Sequence, residues 1–301
     1  MSSLIDNVIS NLSQVIIGKE QQIKLALTCL LARGHLLIED LPGMGKTTLS
    51  HALASSLNLS YQRIQFTSDL LPADIIGSSI FDLNDKTFSF HQGPLFNQVI
   101  LADEINRAGP KTQSALLEAM EEQQVSIDGH SYPLPSPFFV IATQNPIYQA
   151  GTYPLPESQL DRFLMKISLG YPDVEAERKI LLGQNVAIEQ LANILKHDQF
   201  EQIQAQISRM TVSSPVIDYI LAIVNYTREP GRFAMPLSPR ASLALINAAK
   251  AWAFIHNHDF VTPDDIQAIL PSVVQHRLSL NSHQHDSQLI EQIMTEVPVP
   301  L

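Results

Sequence analysis

The sequence predicts an α/β fold: a five-stranded parallel sheet covered by helices, followed by a second, α-helical domain. Three observations carry this reading. Strand-length apolar runs at 35–40, 61–66, 98–104, 138–144 and 163–170 are separated by helical or long loop segments. Their near-continuous apolar character fits strands buried on both faces, as in a parallel sheet between helices. After "YPD" at 171–173 the strand-like runs stop and helical patterns dominate to residue 301. We therefore divide the chain into a core, 1–185, and a helical domain, 186–301.

In chain order, residues 3–14 read as a helix. "VIIGKEQQIKLALTCLLARG" opens a second, in which Ile23, Leu27, Leu30 and Leu31 recur at helical spacing and Gly34 is expected to end the helix. "HLLIED" is the first strand and "KTTLSHALASSL" the helix after it. "IFDLNDKTFSFHQGP" predicts a hairpin turning at "LND", and "QQVSIDGHSYPL" a second with Asp128-Gly129 as its turn pair. Both read as insertions into the core. In the second half, helices are predicted at 174–184, 188–196, 198–208, 213–228, 239–256, 263–279 and 286–295. "SPR" at 238–240 and "TPDD" at 262–265 are helix starts, with Ser or Thr as the cap and Pro in the first turn.

Composition narrows the function classes. With 45% hydrophobic and 16% charged residues the chain is globular rather than disordered. A net charge of −11 gives no field that would draw nucleic acid. Cys29 is the single cysteine, so no intrachain disulfide forms, and its apolar neighbours predict burial. "MSSLIDNVIS" lacks a basic flank and a long apolar core, and no window approaches ~18 uninterrupted apolar residues. The expectation is a soluble cytoplasmic protein with no membrane span. The ten histidines form no metal-ligand grouping and are expected to be solvated.

The chemistry-bearing segments lie at strand ends. "EDLPGMGKTT" (39–48) carries Gly45-Lys46-Thr47 between a strand and a helix, the context of a phosphate-gripping loop. Asp40 stands where that motif has its first glycine, and Pro42-Gly43 can supply the turn. Lys46 would reach the β- and γ-phosphates, Thr47 would place its hydroxyl on Mg²⁺, and the helix start adds its positive dipole end. "NQVILADEINRA" ends a strand in Asp103-Glu104: Asp103 can hold Mg²⁺ through its water shell, and Glu104 can orient and deprotonate a water. "IATQNP" puts Asn145 at a third strand end, beside the γ-phosphate. Arg162, in "LPESQLDRF", can neutralise charge on a phosphate in a neighbouring subunit, or pair with Asp161. Arg240, in "LSPRA", lies in a helix's first turn, where a cation is disfavoured unless an anion answers it. Ile16, Ile17 and Gly18 could meet adenine through their backbone, or Gly18 could be a plain helix-cap glycine.

Taken together these residues resemble AAA+ ATPases, and within them the MoxR family of the helix-2-insert clade. The likeness runs over about the whole chain, through "GKEQQIKLALTCLLARGHLLIEDLPGMGKTTL", "RIQFTSDLLPADIIG", "GPLFNQVILADEINRAGPKTQSALLEAMEEQQVS", "PFFVIATQNPIYQAGTYPLPESQLDRF", "LSPRA" and "VTPDDIQAILPSVVQHRL". That family commonly carries an acidic residue at the position of Asp40. The resemblance implies an αβα core with sheet order 5-1-4-3-2 and a helical lid. It implies ATP and Mg²⁺ as cofactors, held by Ile17, Gly18, Pro42, Gly43, Met44, Gly45, Lys46, Thr47, Thr48 and Asp103, with Thr47 and Asp103 on the metal. Glu104, Asn145 (sensor 1), Arg162 (arginine finger) and Arg240 (sensor 2) would be catalytic, and Arg107 a further intersubunit arginine. It further implies a homo-oligomeric ring, a hexamer, with a client protein and a von Willebrand factor A domain protein as partners. Two other readings stay open at this point: a nucleotide-gated binding module with little turnover, and a DNA-acting AAA+ protein. Phe81, Phe88 and Phe90 on the first hairpin either meet a client or pack on the core.

Overall fold

The computed structural model describes residues 2–83, 86–145, 151–280 and 286–299. Helices α1 (Ser2–Ser13) and α2 (Glu20–Leu31) precede β1 (Leu36–Glu39), α3 (Lys46–Ser56), β2 (Tyr61–Gln65) and a short α4 (Pro72–Ile76). A hairpin of β3 (Gly77–Asp82) and β4 (Thr87–Gln92) leads into β5 (Val99–Asp103) and α5 (Pro110–Glu122). A second hairpin, β6 (Gln124–Ile127) and β7 (His130–Pro133), is followed by β8 (Phe139–Gln144), α6 (Glu157–Leu160) and β9 (Met165–Ile167). The rest comprises α7 (Val174–Leu181), α8 (His197–Ser208), α9 (Ser214–Arg228), β10 (Phe233–Met235), α10 (Pro239–Ile255), α11 (Pro263–Val274), β11 (Ser279–Leu280) and α12 (Asp286–Glu296).

Five strands make one parallel sheet in the order β2-β5-β8-β1-β9, which is the predicted 5-1-4-3-2 when only these strands are counted. Alternate residues serve opposite faces, as the strand period of two requires. Leu36, Ile38, Val99 and Leu101 join the cluster built with α1, α2 and α3, while Leu37, Ile100 and Ala102 join the cluster under α5. Each fully buried Leu, Ile or Val contributes about 1.5–3 kcal/mol. The first cluster continues into α8, α9, α10, α11 and α12, so sheet, N-terminal helices and helical lid share one apolar interior.

Several expectations are corrected. β2 is an edge strand rather than one buried on both faces: Ile64 is buried, whereas Gln62, Arg63 and Gln65 are exposed. Helix α2 ends at Leu31, and in the turn that leaves it Arg33 rather than Gly34 takes the left-handed conformation (φ 58°), with the Gly34 N–H closing on the Cys29 carbonyl at 2.9 Å. No helix spans 188–196; only a 3₁₀ turn, Ile188–Gln190, forms there. Its backbone is committed elsewhere: Ile194 N–H donates to Ser56 O (3.0 Å), and Ala192 O accepts from Asn11 Nδ2 (3.0 Å). The lid also holds a small antiparallel pair, Phe233–Met235 with Ser279–Leu280, where strands were expected to stop.

Both hairpins form. Asp128 (φ 52°) and Gly129 (φ 78°) make the expected tight turn of the second, whereas Asn84 and Asp85 of the first hairpin's "LND" lie outside the described residues. The hairpins meet through Ser79 Oγ on Asp128 Oδ2 (2.6 Å) and Phe90 on Tyr132 (4.3 Å between ring centroids). Phe90 is thus engaged with the fold, while Phe81 and Phe88 pair with each other at 5.1 Å and stay exposed. The cap motifs at α10 and α11 also form: Ser238 Oγ accepts from Ala241 N–H, and Thr262 and Asp265 cap each other reciprocally. Among the described residues no helix is long and apolar enough to cross a membrane.

Candidate active site

Three neighbouring parallel strands, β5, β8 and β1, end on the same edge of the sheet, so the residues just past them are brought together. A cleft of about 360 Å³ opens there, lined by Pro42, Gly43, Gly45, Lys46, Thr47, Thr48, Arg63, Asp103, Glu104 and Asn145.

The loop after β1 is shaped for its place. Gly43 (φ 85°) and Gly45 (φ 87°) adopt left-handed conformations that cost L-residues with side chains, and Gly45 leads straight into α3. The first turn of α3 therefore presents Lys46, Thr47 and Thr48 to the cleft, with unpaired backbone donors and the positive dipole end beside them. Lys46 is buried, and its ammonium donates to Asp40 O (2.5 Å), Leu41 O (3.1 Å) and Asn145 Oδ1 (3.3 Å). Burial pulls its pKa below the ordinary lysine value, opposed by the charges of Asp40, Asp103 and Glu104.

Asp40 faces away from the cleft. Its Oδ2 accepts from Leu169 N–H (2.7 Å), Gly170 N–H (2.7 Å) and Ser168 Oγ (3.1 Å), and its Oδ1 from Leu41 N–H (2.9 Å). The acidic residue at the missing glycine's position thus ties the phosphate loop's base to the chain leaving β9.

The opposite wall is a polar network. Thr143 Oγ1 donates to Asp103 Oδ1 (2.6 Å) and accepts from Glu104 N–H (2.9 Å). Glu104 sits in the left-handed region (φ 57°), strained for a residue with a side chain. Its carboxylate accepts from Asn145 Nδ2 (3.0 Å), Gln65 Nε2 (2.9 Å) and Arg107 Nε (2.9 Å). Arg107 therefore pairs within its own chain. Arg63 grips Asp103 Oδ2 through Nε (3.1 Å) and Nη2 (2.6 Å), and Nη2 also reaches Gln65 Oε1 (2.9 Å).

Sequence reasoning missed Arg63, Gln65 and Thr143. The signal for the first two was the alternation in "YQRIQF": residues two apart share a strand face, so Arg63 and Gln65 project together. Thr143 carried no signal of its own, because one polar residue in an apolar run reads as a buried, satisfied hydroxyl.

The structure does not bring Arg162 and Arg240 into this cleft. Both bind Glu121 near the end of α5: Arg162 Nη2 lies 2.9 Å from Oε2, and Arg240 Nη2 donates to Oε1. Arg162 also donates to Leu117 O (2.5 Å). The anion that answers Arg240 at its helix start is thus a carboxylate of the same chain. Asp161 does not pair with Arg162; it accepts from Ser238 Oγ (3.0 Å) and from Arg277 Nε (2.8 Å), a buried arginine that also binds the carbonyls of Phe163 (2.6 Å) and Leu164 (3.1 Å). Ile17 and Gly18 lie outside the cleft's lining; a Cβ on Gly18 would come within 2.6 Å of the Ala176 Cβ, so that glycine admits α7. Met44 packs against the large apolar cluster.

The histidines correct another expectation, since His35 and His276 are buried. His35 Nδ1 accepts from Val140 N–H (3.0 Å) and Nε2 faces Met120 O (3.2 Å), a pair that fits only the neutral ring. Burial lowers the His35 pKa to about 4. Cys29 is buried as expected, and burial pushes its thiol up.

Comparison with known proteins bears on this geometry. Residues 35–165 match the ATPase family associated with various cellular activities (AAA), and 225–297 match an AAA lid domain. The chain is 41% identical to Chaperone MoxR1 of Mycobacterium tuberculosis, over 92% of this chain and 76% of that protein. It belongs to the MoxR family of AAA+ ATPases. It is also 43% identical to YeaC of Bacillus subtilis (99% of this chain, 95% of that protein), and 29% identical to Protein MoxR of Methylorubrum extorquens (96% and 93%). A solved structure from Cytophaga hutchinsonii, reported as a candidate ATPase, superposes with a TM-score of 0.90 at 38% identity, covering 100% of this chain and 96% of that one. In this MoxR-family ATPase the cleft's donor set suits a metal–triphosphate: a lysine and a helix start for phosphate oxygens, a hydroxyl and a carboxylate for a hard divalent cation.

Proposed function

We propose that this chain hydrolyses ATP at sites shared between subunits of a homo-oligomeric ring, a hexamer, and uses the cycle to remodel or mature client proteins. One observation supports the reading above others. Lys46, Asp103, Glu104 and Asn145 converge on a single cleft, while Arg162 and Arg240 stand apart on Glu121, where a second copy could use them.

The roles follow from position. Lys46 and the first turn of α3 bind and neutralise phosphate oxygens. Thr47 and Asp103 would hold Mg²⁺, which when bound draws charge from the phosphates. Glu104, steadied by Asn145 and Gln65, takes the proton of the attacking water. Arg162 and Arg240 would face a neighbour's nucleotide as arginine finger and sensor 2, and Ile17 with Gly18 would flank the base. We keep the division near residue 185 between core and lid, and we assign the β3–β4 hairpin at the end of α4 to the helix-2-insert class. Chaperone-like action is suggested by the relative named Chaperone MoxR1; the matching partners would be cytoplasmic clients and a von Willebrand factor A domain protein.

The test is Glu104→Gln. Nucleotide affinity should stay within about twofold of wild type while turnover falls on the order of a hundredfold or more. Turnover at the wild-type rate would remove Glu104 from its role.

A further inference from the structure

We propose that Arg63 is the resident counter-cation of Asp103 and that it competes with the divalent cation for that carboxylate, so that it sets the metal affinity of the site. The inference rests on the reading of Asp103 as the metal-holding residue.

The geometry is specific. Asp103 has two carboxylate oxygens, and both are engaged. Thr143 donates to Oδ1, while Oδ2 takes two donors from one guanidinium, Nε at 3.1 Å and Nη2 at 2.6 Å. Lys46, the other cation lining the cleft, spends its donors on Asp40 O, Leu41 O and Asn145 and makes no hydrogen bond to Asp103. Asp103 is buried and adjoins Glu104, so its charge requires a nearby cation. Arg63 supplies it, and Gln65, two residues along the same strand face, orients the guanidinium from the side.

The arrangement also permits release. The Arg63 side chain is 49% exposed and rises from an edge strand, so it can swing into water without disturbing the sheet. Asp103 itself stays buried, so Arg63 can leave only as another cation takes over its charge, and a divalent ion reaching the same oxygen, directly or through its water shell, does so. A cation leaving Asp103 as another arrives keeps the local charge nearly balanced whether or not the metal nucleotide is bound.

The experiment measures Mn²⁺ binding directly, by electron paramagnetic resonance in the presence of the non-hydrolysable analogue AMPPNP, for wild type, Arg63→Gln, Arg63→Lys and Asp103→Asn. Affinity for AMPPNP in EDTA is measured alongside. Arg63→Gln should lower the half-saturating Mn²⁺ concentration about threefold to tenfold, with Arg63→Lys between it and wild type. AMPPNP affinity in EDTA should stay within about twofold. An unchanged or raised Mn²⁺ requirement in both Arg63 variants overturns the inference. A large loss of AMPPNP affinity in EDTA also overturns it, because that result puts Arg63 on the phosphates. Equal Mn²⁺ binding by wild type and Asp103→Asn identifies a different failure: Asp103 is then not the metal holder, and the inference falls with that reading.

Discussion

Replacing Asp40 with alanine isolates what the acidic residue of the phosphate loop does. Its carboxylate receives four hydrogen bonds, from Leu41, Ser168, Leu169 and Gly170. They are unequal in consequence. Leu169 is buried, so its N–H has no water to turn to once the carboxylate is gone, a loss of about 2 kcal/mol. Gly170 and Ser168 are partly accessible and lose about 0.5–1 kcal/mol each. Leu41 is exposed, and water replaces its partner at little cost. Asp40→Ala should therefore destabilise the fold by about 3 kcal/mol, and Asp40→Asn, which keeps one acceptor oxygen, by about 1 kcal/mol. Urea unfolding followed by far-UV circular dichroism measures both. Lys46 binds the backbone carbonyl of residue 40 rather than its side chain, so nucleotide affinity at low temperature should change far less than stability. If alanine costs under about 1 kcal/mol, or if nucleotide affinity collapses while stability holds, Asp40 does not tie the loop to the chain leaving β9.

Acid should weaken the fold through His35. Its folded pKa of about 4 lies below the unfolded value of about 6.5, so its contribution is fully present above pH 6.5 and is lost as pH falls from there towards 4. The loss approaches ~3 kcal/mol, and buried His276, whose pKa burial also lowers, adds in the same direction. A urea midpoint flat between pH 7 and 4.5 would contradict this. Glu121→Ala should leave stability within about 1 kcal/mol, since its ion pairs are partly exposed, yet lower turnover several-fold at unchanged nucleotide affinity as Arg162 and Arg240 lose their common anchor. Steady-state kinetics with a separate binding measurement distinguishes that outcome from a loss of nucleotide.

The sheet and the cleft were largely legible in the sequence because their signals are local. A buried parallel strand declares itself as an apolar run, and residues just past such runs must gather at one edge once the strands align. Lys46, Asp103, Glu104 and Asn145 met on that logic. What escaped depended on pairing between distant segments. Nothing in "YQRIQF" says that β2 lies at an edge beside β5, so Arg63 and Gln65 could not be matched to Asp103 and Glu104. Glu121 drew no notice because a carboxylate on a helix surface is ordinary until two arginines from residues 162 and 240 are folded onto it. Residues 188–196 have helix-like apolar spacing, yet their carbonyls and N–H groups are claimed by Asn11 and Ser56. His276 and Arg277 look like a polar helix end in sequence, and burial against the carbonyl of Phe163 is a tertiary fact.

The central claim is that each site takes catalytic groups from two chains, and mixing two inactive variants tests it most directly. Lys46→Ala should fail to bind ATP, and Arg162→Ala should bind it without turnover. Combined in equal amounts, they form some interfaces with an intact phosphate loop on one side and an intact Arg162 on the other. In a head-to-tail ring with random mixing roughly a quarter of the interfaces qualify, so ATP turnover should recover to about that fraction of wild type. A mixture that assembles and remains inactive would contradict a site built from two subunits.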